Sequence, residues 1–144
     1  VSTFAIADLV ADLNRDEGRR LKPYVDTVGK TSIGVGRNLT DVGISDAECD
    51  TLLQNDIEKT LAWLDANLSW WRNLDAVRQR ALANMAFNMR ARLLGFTNTL
   101  AALQKSDWQT AHDEMLDSVW AKQVGERATR LANMILTGAA DGSQ

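Results

Sequence analysis

The amino-acid sequence predicts an α+β protein, mostly helical, with one small sheet near its amino end. Three observations carry this. Five of the nine glycines (18, 29, 34, 36, 43), the only proline and the only tyrosine fall between residues 18 and 43, a density of turn formers and helix breakers that excludes helix there. On both sides apolar residues recur at helical spacing: Ile6, Leu9, Val10, Leu13 before, and Leu74, Val77, Ala81, Leu82, Met85, Met89 after. Between them Ser45-Asp46-Ala47-Glu48 is a capping box, the start signal of a long helix.

In chain order, the first helix is capped by Ser2 or Thr3 and ends at Gly18, where a residue free to take positive φ is needed. Glu17 then stands in its last turn, where the macrodipole disfavours negative charge. Such an acid needs another reason to be there. Pro23 breaks helix, and Tyr24-Val25 suit a strand. Asp26-Thr27-Val28-Gly29 reads as a turn, Lys30–Val35 as the return strand and Val42-Gly43-Ile44 as a third. Thr31 and Ser32 point to opposite faces, so only one shares a face with Asp26. The helix from the capping box runs to about Asn67, with Leu52, Leu53, Ile57, Leu61, Leu64 and Leu68 as its apolar stripe. It joins a front lobe of about residues 15–45 to a helical rear lobe of about 70–138, all within one domain. The five tryptophans (63, 70, 71, 108, 120) are expected as packing residues with one polar edge.

Bulk properties narrow the function. With 45% hydrophobic and 24% charged residues the chain is globular rather than disordered. Cys49 has no partner for an internal disulfide, and with His112 as the only histidine no zinc site of those ligands is expected. Neither metal nor cofactor is anticipated. Residues 1–71 carry seven basic against twelve acidic side chains, and residues 72–144 nine against seven. That balance lacks the basic excess of a nucleic-acid binder. The amino terminus has no secretory-signal pattern, and no segment approaches membrane-spanning length. The initial valine suits a piece of a larger protein.

One stretch carries chemistry. Glu17, Asp26 and Ser32 stand in the spacing Glu-x8-Asp-x5-Ser inside RDEGRRLKPYVDTVGKTSIGVGRN. Two carboxylates and a hydroxyl gathered from helix end, turn and strand suit acid–base work at a glycosidic bond. Most carboxylates, however, are merely solvated. The surrounding pattern DEG…PYxDTxGxxxIGxGxN resembles the phage-type lysozymes, glycoside hydrolase family 24, whose signature is Glu-x8-Asp/Cys-x5-Thr. The resemblance runs from Leu9 to Gly138 and departs at two places. Ser32 replaces threonine, and Arg90 stands where the family has glycine, so the 90–94 loop is expected to be rebuilt.

The resemblance implies a lysozyme-like α+β fold: a three-stranded antiparallel sheet lobe, a linking helix, a helical lobe and a cleft between. It implies a monomer that hydrolyses the β-1,4 bond between N-acetylmuramic acid and N-acetylglucosamine in peptidoglycan, with inversion. By resemblance Glu17 is the general acid, while Asp26 and Ser32 position water, the carboxyls standing roughly 6.5–9.5 Å apart. Gly36, Asn38, Phe87, Asn88 and Arg127 fall at substrate-side positions, with Arg127 approaching Glu17. Arg37 is expected to pair with Asp56. Other readings are a lytic transglycosylase acting on the same bond and an inactive wall-binding module. Delivery is expected either from the host cytoplasm through a separate pore or as part of a virion. No stable membrane insertion is expected.

Overall fold

The computed structural model describes residues 3–143. The chain divides into two compact units on either side of the Thr51–Leu52 bond.

In the first unit, helix α1 spans Ile6–Glu17. Its N-cap is Ala5, which makes no side-chain bond, so the expected Thr3 cap is not formed; Ser2 lies outside the described residues. The carboxyl end closes at Gly18, φ 77°, whose N–H donates to the Asn14 carbonyl at 3.0 Å. None of the stripe Ile6, Leu9, Val10, Leu13 is buried. Strands β1 (Arg20–Val25), β2 (Thr31–Gly34) and β3 (Arg37–Asn38) form an antiparallel sheet in that order. Pro23 lacks an N–H for the ladder, and the β1–β2 register shifts between Arg20 and Tyr24, as expected of proline on an edge strand.

The third strand is not at Val42–Ile44 but at Arg37–Asn38. Gly34 and Gly36 hold φ of 69° and 67°, which turns the chain back on itself within two residues. Leu39 N–H then bonds the Thr31 carbonyl at 2.8 Å. Val42 and Gly43 instead donate to the Asn38 carbonyl at 3.1 and 3.3 Å, closing a turn.

Helix α2 spans Asp46–Asn67. The capping box forms with both of its bonds: Glu48 N–H to Ser45 Oγ, 3.1 Å, and Ser45 N–H to Glu48 Oε1, 3.0 Å. Only part of the expected stripe is covered, since Leu64 and Leu68 are buried while Leu52, Leu53 and Ile57 stay exposed.

The second unit continues through a 3₁₀ turn at Trp71–Asn73 into α3 (Ala76–Met89), a 3₁₀ segment at Arg90–Gly95, α4 (Thr97–Gln104), α5 (Trp108–Leu116), α6 (Val119–Val124) and α7 (Glu126–Thr137). Asp75, Asp107 and Ser118 cap α3, α5 and α6 by accepting from N–H groups three residues on. Helix α7 packs against α3 and α5. Leu82, Met85, Leu93, Leu103, Met115, Leu131 and Ile135 are almost wholly removed from water, each burial contributing about 1.5–3 kcal/mol. Among the described residues every buried apolar side chain lies between Leu64 and Ile135, so the core belongs to the helical unit. Trp71 and Trp120 are buried within it, and Trp63, Trp70 and Trp108 pack on its margin. Arg90 has φ 48°, so it keeps a conformation natural to glycine and starts the 3₁₀ segment in place of a continued helix.

Candidate active site

Glu17 is the last residue of α1. Arg15, two residues before it, is turned elsewhere, to Asp16 at 3.1 Å and Asp12 at 3.5 Å. The terminal atoms of the Glu17 side chain rest beside Gly36, in the space where any other residue would carry its β-carbon.

Asp26 is placed by the β1–β2 turn. Its N–H donates to the Lys30 carbonyl at 2.8 Å, and its carbonyl accepts from Gly29 at 3.1 Å. Its side chain braces the same turn through one oxygen: Oδ1 accepts from the N–H groups of Val28 (3.0 Å) and Lys30 (2.8 Å). Both bonds end on that oxygen, which leaves Oδ2 out of the turn. Lys30 Nζ is directed to Asp41 Oδ1 at 3.2 Å, away from this carboxylate.

Sheet register settles which hydroxyl accompanies Asp26. Tyr24 on β1 pairs with Ser32 on β2, and Ser32 pairs with Asn38 on β3. Paired residues share a face and so do residues two apart, so Tyr24, Asp26, Ser32 and Asn38 lie on one side and Thr31 on the other. Ser32 is 4% exposed, the only buried residue of the sheet. Tyr24 stands directly opposite it with Arg20 stacked on its ring at 4.4 Å. The Asn38 side-chain amide serves the next turn: its nitrogen donates to Asp41 Oδ2 and its oxygen accepts from Asp41 N–H, both at 3.0 Å.

The strand's basic residue does not take the partner expected of it. Arg37 Nη1 bonds Glu48 Oε1 at 2.8 Å and the Gly43 carbonyl at 3.2 Å, rather than Asp56. Glu48 is already fixed by the capping box, which presents its carboxylate ready-placed to the guanidinium. The Arg37 bond, with those from Ser45, pulls the Glu48 carboxyl down to about 2, and the same pairing raises Arg37.

In the helical unit, Phe87 and Arg127 line one hollow of about 440 Å³ with Leu53, Ile57, Leu61 and Asn84. Arg127 is held by a side chain 43 positions away: Nε and Nη2 donate to Asn84 Oδ1 at 2.9 and 2.7 Å. Nothing in the residue types announces that pairing. Asn88 follows Phe87 on α3 and its side chain has a different use, its Oδ1 accepting from Trp120 Nε1 at 2.8 Å. Trp120 in turn meets the Phe96 ring edge-on at 6.1 Å. Among the described residues no cluster of three or more His, Cys, Asp or Glu is arranged to hold a metal ion.

The sheet-bearing unit therefore combines an acid at a helix end, a second acid with one oxygen fixed and one free, and a hydroxyl on the second acid's face. A family described as phage lysozyme matches residues 14–134. The pre-baseplate central spike protein Gp5 of Enterobacteria phage T4 is 32% identical over 88% of this chain, which spans 27% of that protein. Two proteins of Dictyostelium discoideum, probable T4-type lysozymes 1 and 2, are 27% and 28% identical. Those alignments cover 88% and 92% of this chain and 92% and 96% of the two proteins.

Proposed function

This chain belongs to the phage lysozyme family, and from that premise we propose that it is a peptidoglycan hydrolase cleaving the β-1,4 bond between N-acetylmuramic acid and N-acetylglucosamine. Glu17 protonates the departing glycosidic oxygen. Asp26 accepts a proton from the attacking water, and Ser32 helps to hold that water. The observation that carries this reading is the state of Asp26. Its Oδ1 is committed to two backbone N–H groups, so the carboxylate is oriented before substrate arrives, and the turn makes no use of Oδ2, on a residue that follows the strand paired with Ser32. Orientation of this kind is what general-base catalysis requires.

The reaction is inverting, which calls for roughly 6.5–9.5 Å between the two carboxyls to admit the water. Gly36 and Asn38 border the catalytic residues within the sheet unit, and sugar contacts are assigned in the helical unit to Phe87, Asn88 and Arg127. The protein acts as a monomer on glycan strands. The relatives include a virion spike protein and proteins named as lysozymes, and either mode of delivery, in the particle or by release onto the wall, suits the chain. Among the described residues no helix is long and apolar enough to cross a membrane.

The test is lysis of outer-membrane-permeabilised bacteria by wild type, Glu17→Gln and Asp26→Asn side by side, with analysis of the products. Each variant is expected to lose about 10²–10⁴-fold in rate, the usual worth of a positioned acid or base. Wild-type product should carry a reducing end. A 1,6-anhydro end identifies a transglycosylase instead, and a wild type that binds wall without clearing cells identifies a binding module.

A further inference from the structure

We infer that Gly36 is a positioning residue for Glu17: the missing side chain at 36 is the seat of the acid's carboxyl group. The inference rests on the proposed role of Glu17 and adds the feature that sets where its proton is delivered. A β-carbon built on Gly36 would stand 2.7 Å from Glu17 Oε2, 2.9 Å from Cδ and 3.2 Å from Cγ. Carbon atoms in contact sit about 3.5–4.0 Å apart, so a methyl group there overlaps three successive atoms of the acid. The atoms in the way are the free end of a flexible side chain. An added methyl is therefore relieved most cheaply by displacing the carboxyl group. The shift needed to restore carbon–carbon contact at Cδ from 2.9 Å is about 0.6 Å or more.

Displacement of a reacting group by about 1 Å can cost on the order of 10²-fold in rate. The sequence-level assignment of Gly36 to substrate contact would read such a loss as weaker binding. Acting through Glu17, it falls on turnover.

The sheet supplies its own control. Gly34 and Gly36 have φ of 69° and 67°, so alanine at either meets strain of the same kind, a positive φ. A β-carbon on Gly34 touches nothing within 4 Å. Comparing Gly36→Ala with Gly34→Ala thus removes strain from the result and isolates the Glu17 contact. Three readings on the whole chain decide the matter. The carboxyl ¹³C resonance of Glu17, read without substrate, should move in Gly36→Ala and stay in Gly34→Ala. Turnover should fall about 10–100-fold further in Gly36→Ala than in Gly34→Ala, with KM close between them. In a Glu17→Asp background, where the carboxyl is withdrawn by one methylene, Gly36→Ala should add little beyond Gly34→Ala.

An unmoved Glu17 resonance, or an equal Gly36→Ala penalty in the wild-type and Glu17→Asp backgrounds, overturns the inference. If Glu17→Gln is inactive while Gly36→Ala turns over like Gly34→Ala, the inference falls and the acid assignment stands. If Glu17→Gln is itself active, the acid assignment falls.

Discussion

Arg78 is a polar side chain whose loss should cost the helical unit as much as a core truncation. It lies on α3, 12% exposed, and reaches the far end of the chain. Its Nε donates to the Ile135 carbonyl at 2.6 Å and its Nη2 to the Leu136 carbonyl at 3.2 Å. These belong to the last turn of α7, where carbonyls have no partner within the helix. The guanidinium also stacks on the Trp108 ring at 3.9 Å and meets Asp75 at 3.0 Å. Each hydrogen bond from a charged group is worth about 1.5–3 kcal/mol. The stacking adds about 0.5–2 kcal/mol, and the Asp75 pair, between neighbours on one helix, about 0.3. Water entering to solvate the freed carbonyls returns part of this. Arg78→Ala should therefore cost about 3–5 kcal/mol, in the range of a severe core mutation. At about 2–4 °C per kcal/mol for a chain of this size, the fall in Tm is about 6–20 °C. Arg78→Lys keeps the charge but cannot bond two successive carbonyls while stacking, and should recover less than half. All five tryptophans lie between 63 and 120, so urea unfolding followed by tryptophan emission reports the helical unit. A loss under about 1 kcal/mol for Arg78→Ala, too small to register as any of these bonds, or full rescue by lysine, would refute the clamp.

Four further outcomes are expected. Arg90→Gly relieves a backbone conformation costing about 1–3 kcal/mol against about 0.5–1 kcal/mol of added unfolded-chain entropy, so thermal denaturation should show a more stable protein; an unchanged or lower Tm counts against the strain. Glu48 titrates near 2 against an ordinary 4.5, so it contributes stability at pH values above 4.5 that is lost as pH falls through 2. Glu48→Gln should lie below wild type near neutrality and converge with it near pH 2, with ¹³C titration of the Glu48 carboxyl as the direct check. Asp26→Asn keeps an oxygen to accept from Val28 and Lys30, so it should unfold within about 1 kcal/mol of wild type, whereas Asp26→Ala loses both bonds and should cost about 1–3 kcal/mol; equal Tm values for the two would remove the bracing role. Ser32→Thr adds the methyl that narrows χ1 and should speed turnover, an effect denied by equal rates.

Much of the local architecture is legible from residue order. The capping box at Ser45–Glu48 and the Asp26 turn form as the residues predict, because each is an interaction among residues at most four apart. Strand alternation separates Ser32 from Thr31, and the pairing of Tyr24 with Ser32 then decides which of them lies on the Tyr24 face. The third strand forms elsewhere than composition suggests: Val42-Gly43-Ile44 has strand-like residues, whereas Gly34 and Gly36 allow a reversal tight enough to pair Arg37–Asn38 first. The α2 stripe promises more burial than Leu52, Leu53 and Ile57 obtain, since periodicity names a face and not what covers it.

By itself the sequence determined the capped start of the 46–67 helix, the turn at Asp26, and two acids and a hydroxyl whose spacing resembles that of the phage-type lysozymes. Tertiary structure alone decided the partners: Glu48 rather than Asp56 for Arg37, Asn84 for Arg127, Trp120 for Asn88, and the Gly36 seat for Glu17. The reason is physical. Caps and turns are settled by groups a few bonds apart, whose separation the backbone already limits. A guanidinium has many acceptors of equal chemistry along the chain, and only the packed fold selects which one comes within 3 Å.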